Sequence, residues 1–253
     1  MKHFLLIANW KSNPQSLENA CMLARALERE VKKIRGVEIV IAPPYPFLVP
    51  VRRELKKAKL GAQDSFWTGG PYTGDISPEQ LATLGVKYVI IGHSERRIYH
   101  GETDSLINKK MKAVLEAGMS SILCVGERER IGRDIPAIVG EQIRGALREI
   151  PPRLYRNICI AYEPVWAIST TPGAVPDTPE NSFRASMYIR RVLADMAGKK
   201  NSGSVRILYG GSVSQMNIGS FVRDGGVGGA LVGSASLNRK TFGEIIRIAS
   251  RAR

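Results

Sequence analysis

The chain has 253 residues, 43% of them hydrophobic and 24% charged, and no Pro/Gly/Ser-rich or low-complexity stretch marks a linker. This reads as one globular domain, 1–253, able to bury roughly three quarters of its unfolded surface. Lys+Arg 37 against Asp+Glu 23 gives a net charge of +14, which favours an anionic partner: nucleic acid, an anionic membrane or a phosphorylated metabolite.

The first two partners do not fit the pattern. The basic pairs at 32–33, 52–53, 56–57 and 190–191 are dispersed among apolar positions, as on a solvated helical face, so no nucleic acid is expected. The N-terminal MKHFLLIANWK offers only FLLIA before Asn9 and Lys11, too short for a signal-peptide core or a membrane span. Cys21, Cys124 and Cys159 lie in apolar segments without metal-ligand spacing and read as reduced core thiols. A cytoplasmic protein is expected.

Along the chain, β-branched or apolar runs fall at 4–9 (FLLIAN), 37–42 (VEIVIA), 59–63 (KLGAQ), 88–92 (YVIIG), 121–125 (SILCV), 158–162 (ICIAY), 205–209 (VRILY) and 229–233 (GALVG). Between them the apolar residues take a helical period, as in Leu17, Cys21, Ala24, Leu27, Val31 and Ile34, or Leu106, Met111, Val114 and Leu115. Asn13-Pro14, Ser77-Pro78 and Thr178-Pro179 predict helix starts, each with a capping side chain before a proline, and Ser77 with Gln80 has capping-box spacing. Strands that are apolar on both faces imply a covered parallel sheet, and eight alternating units in this length predict an α/β fold of the (β/α)8 barrel type. No dinucleotide or P-loop glycine motif stands at a strand-to-helix junction.

In such a barrel, chemistry gathers where the strands end. There the sequence supplies Asn9 and Lys11, Gln63 and Asp64, His93 with SERR, Glu163 before Pro164, and two small-residue turns, Tyr209-Gly210-Gly211-Ser212 and Gly233-Ser234. The two turns after the last strands suit a phosphate. His93 precedes a short helix start, which disfavours an imidazolium and leaves a neutral ring able to donate to a carbonyl. A carboxylate, a neutral donor and an ammonium around a phosphate suit proton abstraction beside a carbonyl, with no metal and no organic cofactor required.

NWK at 9–11, GHSERR at 92–97, AYEPVWAI at 161–168 and YGGSV at 209–213, in this order, resemble the triosephosphate isomerase family. The resemblance implies interconversion of dihydroxyacetone phosphate and D-glyceraldehyde 3-phosphate, in glycolysis and gluconeogenesis. It makes Glu163 the base and His93 the electrophile, the established pairing of that family. It makes Lys11 the group that neutralises developing charge and helps hold the phosphate, and Asn9 a partner of the substrate oxygen. Ser94, Glu95, Cys124 and Tyr209 would support the site, and backbone N–H groups of Ser169, Ser212, Gly233 and Ser234 would hold the phosphate. The loop SFWTGGPYTGD between Asp64 and Ile76 carries Phe66, Trp67 and Tyr72, and its Thr73-Gly74 matches the family's plug into a partner subunit, which implies a homodimer.

The sequence also departs from the family. After PVWAI, where a lid with a GTGK-like tip is usual, this chain reads STTPGAVPDTPE, about three residues longer, with Pro172 lacking an N–H. Ser234 stands where a second glycine is usual, and Ser12 replaces an apolar residue.

Overall fold

The computed structural model describes residues 3–130, 132–168 and 171–252. Eight strands, β1 (Phe4–Asn9), β2 (Val37–Ala42), β3 (Lys59–Ala62), β4 (Tyr88–Ile91), β5 (Ser120–Val125), β6 (Ile158–Tyr162), β7 (Arg206–Tyr209) and β8 (Gly229–Val232), close in sequence order into one parallel barrel. Closure runs from Leu5↔Gly229 to Ala8↔Val232, so β1 has neighbours on both sides. The apolar runs in the sequence locate all eight strands to within a residue of each bound, because a strand covered on both faces must be apolar throughout.

The helices between them are α1 (Leu17–Lys32), α2 (Leu48–Glu54), α3 (Pro78–Thr83), α4 (Ser94–Tyr99), α5 (Asp104–Glu116), α6 (Ala137–Leu147), α7 (Pro179–Ser204), α8 (Ile218–Asp224) and α9 (Arg239–Arg251). The α7 segment is interrupted at Gly198, whose φ of 78° lies outside the helical region. None of these helices is long and apolar enough to cross a membrane.

Strand alternation sorts side chains into two cores. Leu5 and Ile7, Val40 and Ala42, Ile90, Ile122 and Cys124, Cys159 and Ala161, Leu208 and Leu231 fill the barrel interior. Their sequence neighbours, such as Phe4, Leu6 and Ala8 on β1, face outward and meet the helices. On α1 the buried stripe is Ala20, Ala24, Leu27 and Val31, while Leu17 in the first turn stays 50% exposed. The inward rows, continued by two residues, reach Asn9, Glu163, Gly210 and Gly233. A period of two therefore carries the same parity from apolar core to polar rim.

Local capping agrees in part with the sequence. Ser77 and Gln80 form the reciprocal capping box on α3, and Thr178 caps α7 by accepting from the Asn181 N–H. Asn13-Pro14 opens no helix: that peptide is cis, and α1 starts four residues later, where the extended backbone of Ser16 lets its hydroxyl accept from Asn19 N–H at 3.2 Å. The aromatic rings of the 64–76 loop do not stand out singly either. Phe66 stacks on Trp67 with centroids 3.6 Å apart, Tyr72 tilts against Phe66 at 4.6 Å, and the Lys109 ammonium lies 5.4 Å from the Trp67 ring.

Candidate active site

A cavity of about 700 Å³ opens at the C-terminal end of the barrel, with Asn9, Lys11, His93, Glu163, Gly233 and Ser234 on its wall. These residues come from β1, β4, β6 and β8, and the parallel closure of the strands is what brings them to one rim. Ser212, Val213 and Ser214 after β7 line the same space, as do residues 174–176.

Glu163 is 2% exposed, and its Oε2 accepts the Ser94 N–H at 2.9 Å. Its Oε1 makes no well-formed hydrogen bond but lies 3.2 Å from His93 Nε2. The fit around this residue depends on two glycines. A side chain at Gly126 would overlap the Glu163 carbonyl, and one at Gly210 would stand 2.8 Å from Glu163 Cγ. The two glycines let the neighbouring strand ends pack directly against Glu163.

His93 caps α4, its Nδ1 accepting from the Glu95 N–H at 3.2 Å. That bond requires a lone pair on Nδ1, so the ring proton sits on Nε2, on the side of Glu163. Gly92 precedes it at φ 69°, a turn that breaks the strand alternation and directs the next residue inward.

Lys11 has φ 52°, a left-handed conformation that disfavours side chains other than glycine. Two neighbours clamp it there. Asn9 Oδ1 accepts the Lys11 N–H at 3.1 Å, and Gln63 Nε2 donates to the Lys11 carbonyl at 2.8 Å and to that of Ala42 at 2.9 Å. The Lys11 ammonium is ion-paired with Glu95. Cys124, fully buried in the barrel, has its thiol pKa raised by burial and then by the charge and hydrogen bonding of Glu163.

The predicted phosphate contacts divide into three. Gly233 and Ser234 open a short 3-10 turn, whose first N–H groups have no acceptor within the turn. Ser212 is already engaged: its N–H and its hydroxyl both donate to the Ala167 carbonyl, at 3.2 and 2.7 Å. Ser169 lies outside the described residues. Thr73 and Gly74 are exposed at the tip of the 64–76 loop, away from this cavity.

Several residues around the site gave little sign in the sequence. Glu127 Oε1 accepts from Trp166 Nε1 at 2.9 Å and from the Tyr162 hydroxyl at 2.7 Å, and Arg130 bonds Tyr162, Asn181 and Glu127. Asn217 braces the turn after β7, its Nδ2 donating to the Ser212 carbonyl and its Oδ1 accepting the Ser214 N–H. Glu127 stands two residues past the end of β5, a position that could have flagged it; Asn217 and Arg130 had no such signal.

A parallel (β/α)8 barrel with a carboxylate, an imidazole, an ammonium and two small-residue turns around one polar cavity defines an enzyme of the phosphosugar-barrel class. The family model for triosephosphate isomerase matches residues 4–249. Curated triosephosphate isomerases resemble the chain along its length. That of Dehalococcoides mccartyi is 42% identical over 255 residues, covering 99% of this chain and 98% of its own, and that of Carboxydothermus hydrogenoformans is 40% identical over 252 residues, covering 98% and 99%. The chain belongs to the triosephosphate isomerase family, whose reaction interconverts dihydroxyacetone phosphate and D-glyceraldehyde 3-phosphate.

Proposed function

We propose that the chain carries out this interconversion as a single barrel domain, with Glu163 as the base that moves the proton between the two substrate carbons. The observation that carries the assignment is the approach of Glu163 Oε1 to His93 Nε2, at 3.2 Å on the cavity wall. A carboxylate oxygen without a firm partner can take a carbon-bound proton, and the neighbouring Nε2–H can donate to the oxygen on which enediolate charge develops. Lys11 supplies positive charge to the same space, and Asn9, besides holding Lys11, faces the substrate oxygen. Ser94, Glu95, Cys124 and Tyr209 position these groups.

The substrate phosphate sits at the turn after β8, on the N–H groups of Gly233 and Ser234. The Ser212 N–H joins them once the Ala167 carbonyl releases it. No metal or organic cofactor has a step to perform, because the proton moves from carbon to carboxylate and back. The test is turnover of each triose phosphate in a coupled assay, beside Glu163→Gln. Equal rates for the two proteins would remove Glu163 from its role.

The 64–76 loop is read as a subunit contact. It is closed at its base by the Phe66 N–H donating to the Ile76 carbonyl at 2.8 Å, and it presents a cluster of three aromatic rings with Thr73 and Gly74 at its tip. A groove beside Lys11, His93 and Glu95, lined also by Tyr45 and the 78% exposed Tyr99, has room for such a tip from a second copy. A cytoplasmic location is favoured by the thiols of Cys21 and Cys124, neither of which forms a disulfide.

A further inference from the structure

The buried stripe of α6, with Val139, Ile143, Ala146 and Leu147, contains one amide, Gln142, which is 7% exposed. A buried amide is costly unless its polar atoms find partners, and Gln142 finds them on a single residue. Its Oε1 accepts the Gly126 N–H at 2.8 Å, and its Nε2 donates to the Gly126 carbonyl at 3.1 Å. A neighbouring strand would supply such a donor and acceptor. The strand on that side of β5 is β4, whose register runs only to Ile91↔Leu123 before Gly92, at φ 69°, turns the chain into α4. Two side chains take its place. Arg97 Nη2 reaches the Cys124 carbonyl at 3.5 Å, and Gln142 takes both backbone groups of Gly126.

The opposite edge of the same stretch carries Glu163. The carbonyls of Val125 and Glu127 accept the N–H groups of Glu163 at 2.8 Å and of Val165 at 3.0 Å. The Val125 carbonyl and the Gly126 N–H belong to one planar trans peptide and point in opposite directions. A single rigid unit therefore has Gln142 Oε1 at one end and the Glu163 backbone at the other. Gly126 itself lies against the Glu163 carbonyl, where a side chain would overlap it. Gln142, Gly126 and Glu163 also line a hollow of about 390 Å³. Open space there leaves this strand end less constrained by packing, which puts more weight on the two hydrogen bonds from Gln142.

We propose that Gln142 is a positioning residue for the isomerisation: it replaces the strand that β4 no longer provides and, through the Val125–Gly126 peptide, fixes the backbone from which Glu163 reaches the substrate. The inference rests on the reading of Glu163 as the base. The Ser94 N–H holds the Glu163 carboxylate at one end, and the Val125 carbonyl holds its backbone at the other. Proton transfer needs both, because an error of about 1 Å in placement is enough to slow it. Hydrogen bonds in series polarise one another, so the bond from Gln142 also strengthens the one between Val125 and Glu163. Without Gln142 the Gly126 N–H and carbonyl lose their partners beside the hollow, and the peptide that holds Glu163 is free to tilt.

The test compares the wild type with Gln142→Met, which keeps length and volume but neither bond, and with Gln142→Asn, which is too short to reach Gly126. Turnover in both directions, inhibition by inorganic phosphate and the melting midpoint are measured for each. In both variants kcat is expected to fall by about tenfold or more, toward the roughly 10²-fold cost of misplacing a reacting group, while KM and the inhibition constant of phosphate stay within about twofold. This split follows from the barrel order, since β8, whose turn is read as the phosphate site, is a neighbour of neither β5 nor β6. The melting midpoint should fall by less than about 10 °C, which leaves the barrel folded in the assay. A merely structural role would loosen the whole rim, raising KM and weakening phosphate inhibition as kcat falls. That pattern, or wild-type kcat in either variant that folds, would overturn the proposal. Glu163→Gln separates the two readings: if it is inactive while Gln142→Met turns over at the wild-type rate, only the role of Gln142 fails, and if Glu163→Gln is fully active, the assignment of the base fails first.

Discussion

Glu163 Oε1 stands 3.2 Å from His93 Nε2, a contact between the ends of β6 and β4 that neither local segment could make alone. The Glu163 carboxylate is held from behind by the Ser94 N–H and the imidazole by the Glu95 N–H, so one short helix start, α4, orients both groups. Replacing Glu163 by Gln keeps an oxygen to accept from Ser94 but removes the proton acceptor. Turnover is expected to fall by about 10²–10⁴, the usual contribution of a general base, with KM little changed and the fold intact by circular dichroism.

Gln63 donates to the carbonyls of Lys11 and Ala42 and so helps to keep Lys11 in its left-handed conformation. In Gln63→Ala the Lys11 backbone can relax toward an ordinary conformation, moving the ammonium. Small misplacements of this kind cost up to about 10²-fold, so kcat/KM should drop while the chain stays folded. Unchanged kinetics would show that the ammonium is positioned by its pairing with Glu95 alone.

Gly126 leaves no space for a side chain against the Glu163 carbonyl. Gly126→Ala must push β5 and β6 apart at the rim, an overpacking defect of about 1–3 kcal/mol. A lower denaturant midpoint together with a loss of activity is the expected pair of results, because the displaced strand end carries Glu163, the proposed base.

Behind α4 lies a buried ionic cluster in which Lys110 bonds Asp64 at 2.7 Å and pairs with Glu102, and Arg96 bonds both acids. Burial opposes ionisation of Glu102, yet the bonds from Lys110 and Arg96 outweigh it and lower its pKa; Asp64, more strongly desolvated, is raised. Glu102 thus adds stability above its unfolded pKa that is lost as pH falls through the folded value, and Asp64 contributes in the opposite sense. Lys110→Met should cost about 3–5 kcal/mol near pH 7, since it leaves two buried carboxylates sharing the single guanidinium of Arg96. The deficit should shrink at about pH 5, where the raised carboxyl pKa values of the variant let one acid take a proton. Chemical denaturation at the two pH values reads both signs.

Tyr72 is 40% exposed beside Phe66 in the loop read as a subunit contact. A charge placed there by Tyr72→Asp would have to be desolvated on association, so the variant should scatter light as a monomer at micromolar concentration while the wild type scatters as a dimer. Identical masses for the two proteins would count against this contact.

The sequence by itself determined the strands, the alternation of strand and helix, and hence the barrel. Apolar runs such as ICIAY and the capping pairs at Ser77 and Thr178 act through local backbone geometry, which a linear reading captures. It also pointed to Glu163, His93 and Lys11, because residues that end parallel strands must share one rim. What only the tertiary structure decided is which atoms meet there. The Gln63 clamp on Lys11 and the engaged Ser212 N–H each join segments far apart in the chain. Their partners are set by barrel closure and strand register. A hydrogen bond depends on tenths of an ångström and on direction, and no spacing along the sequence encodes either.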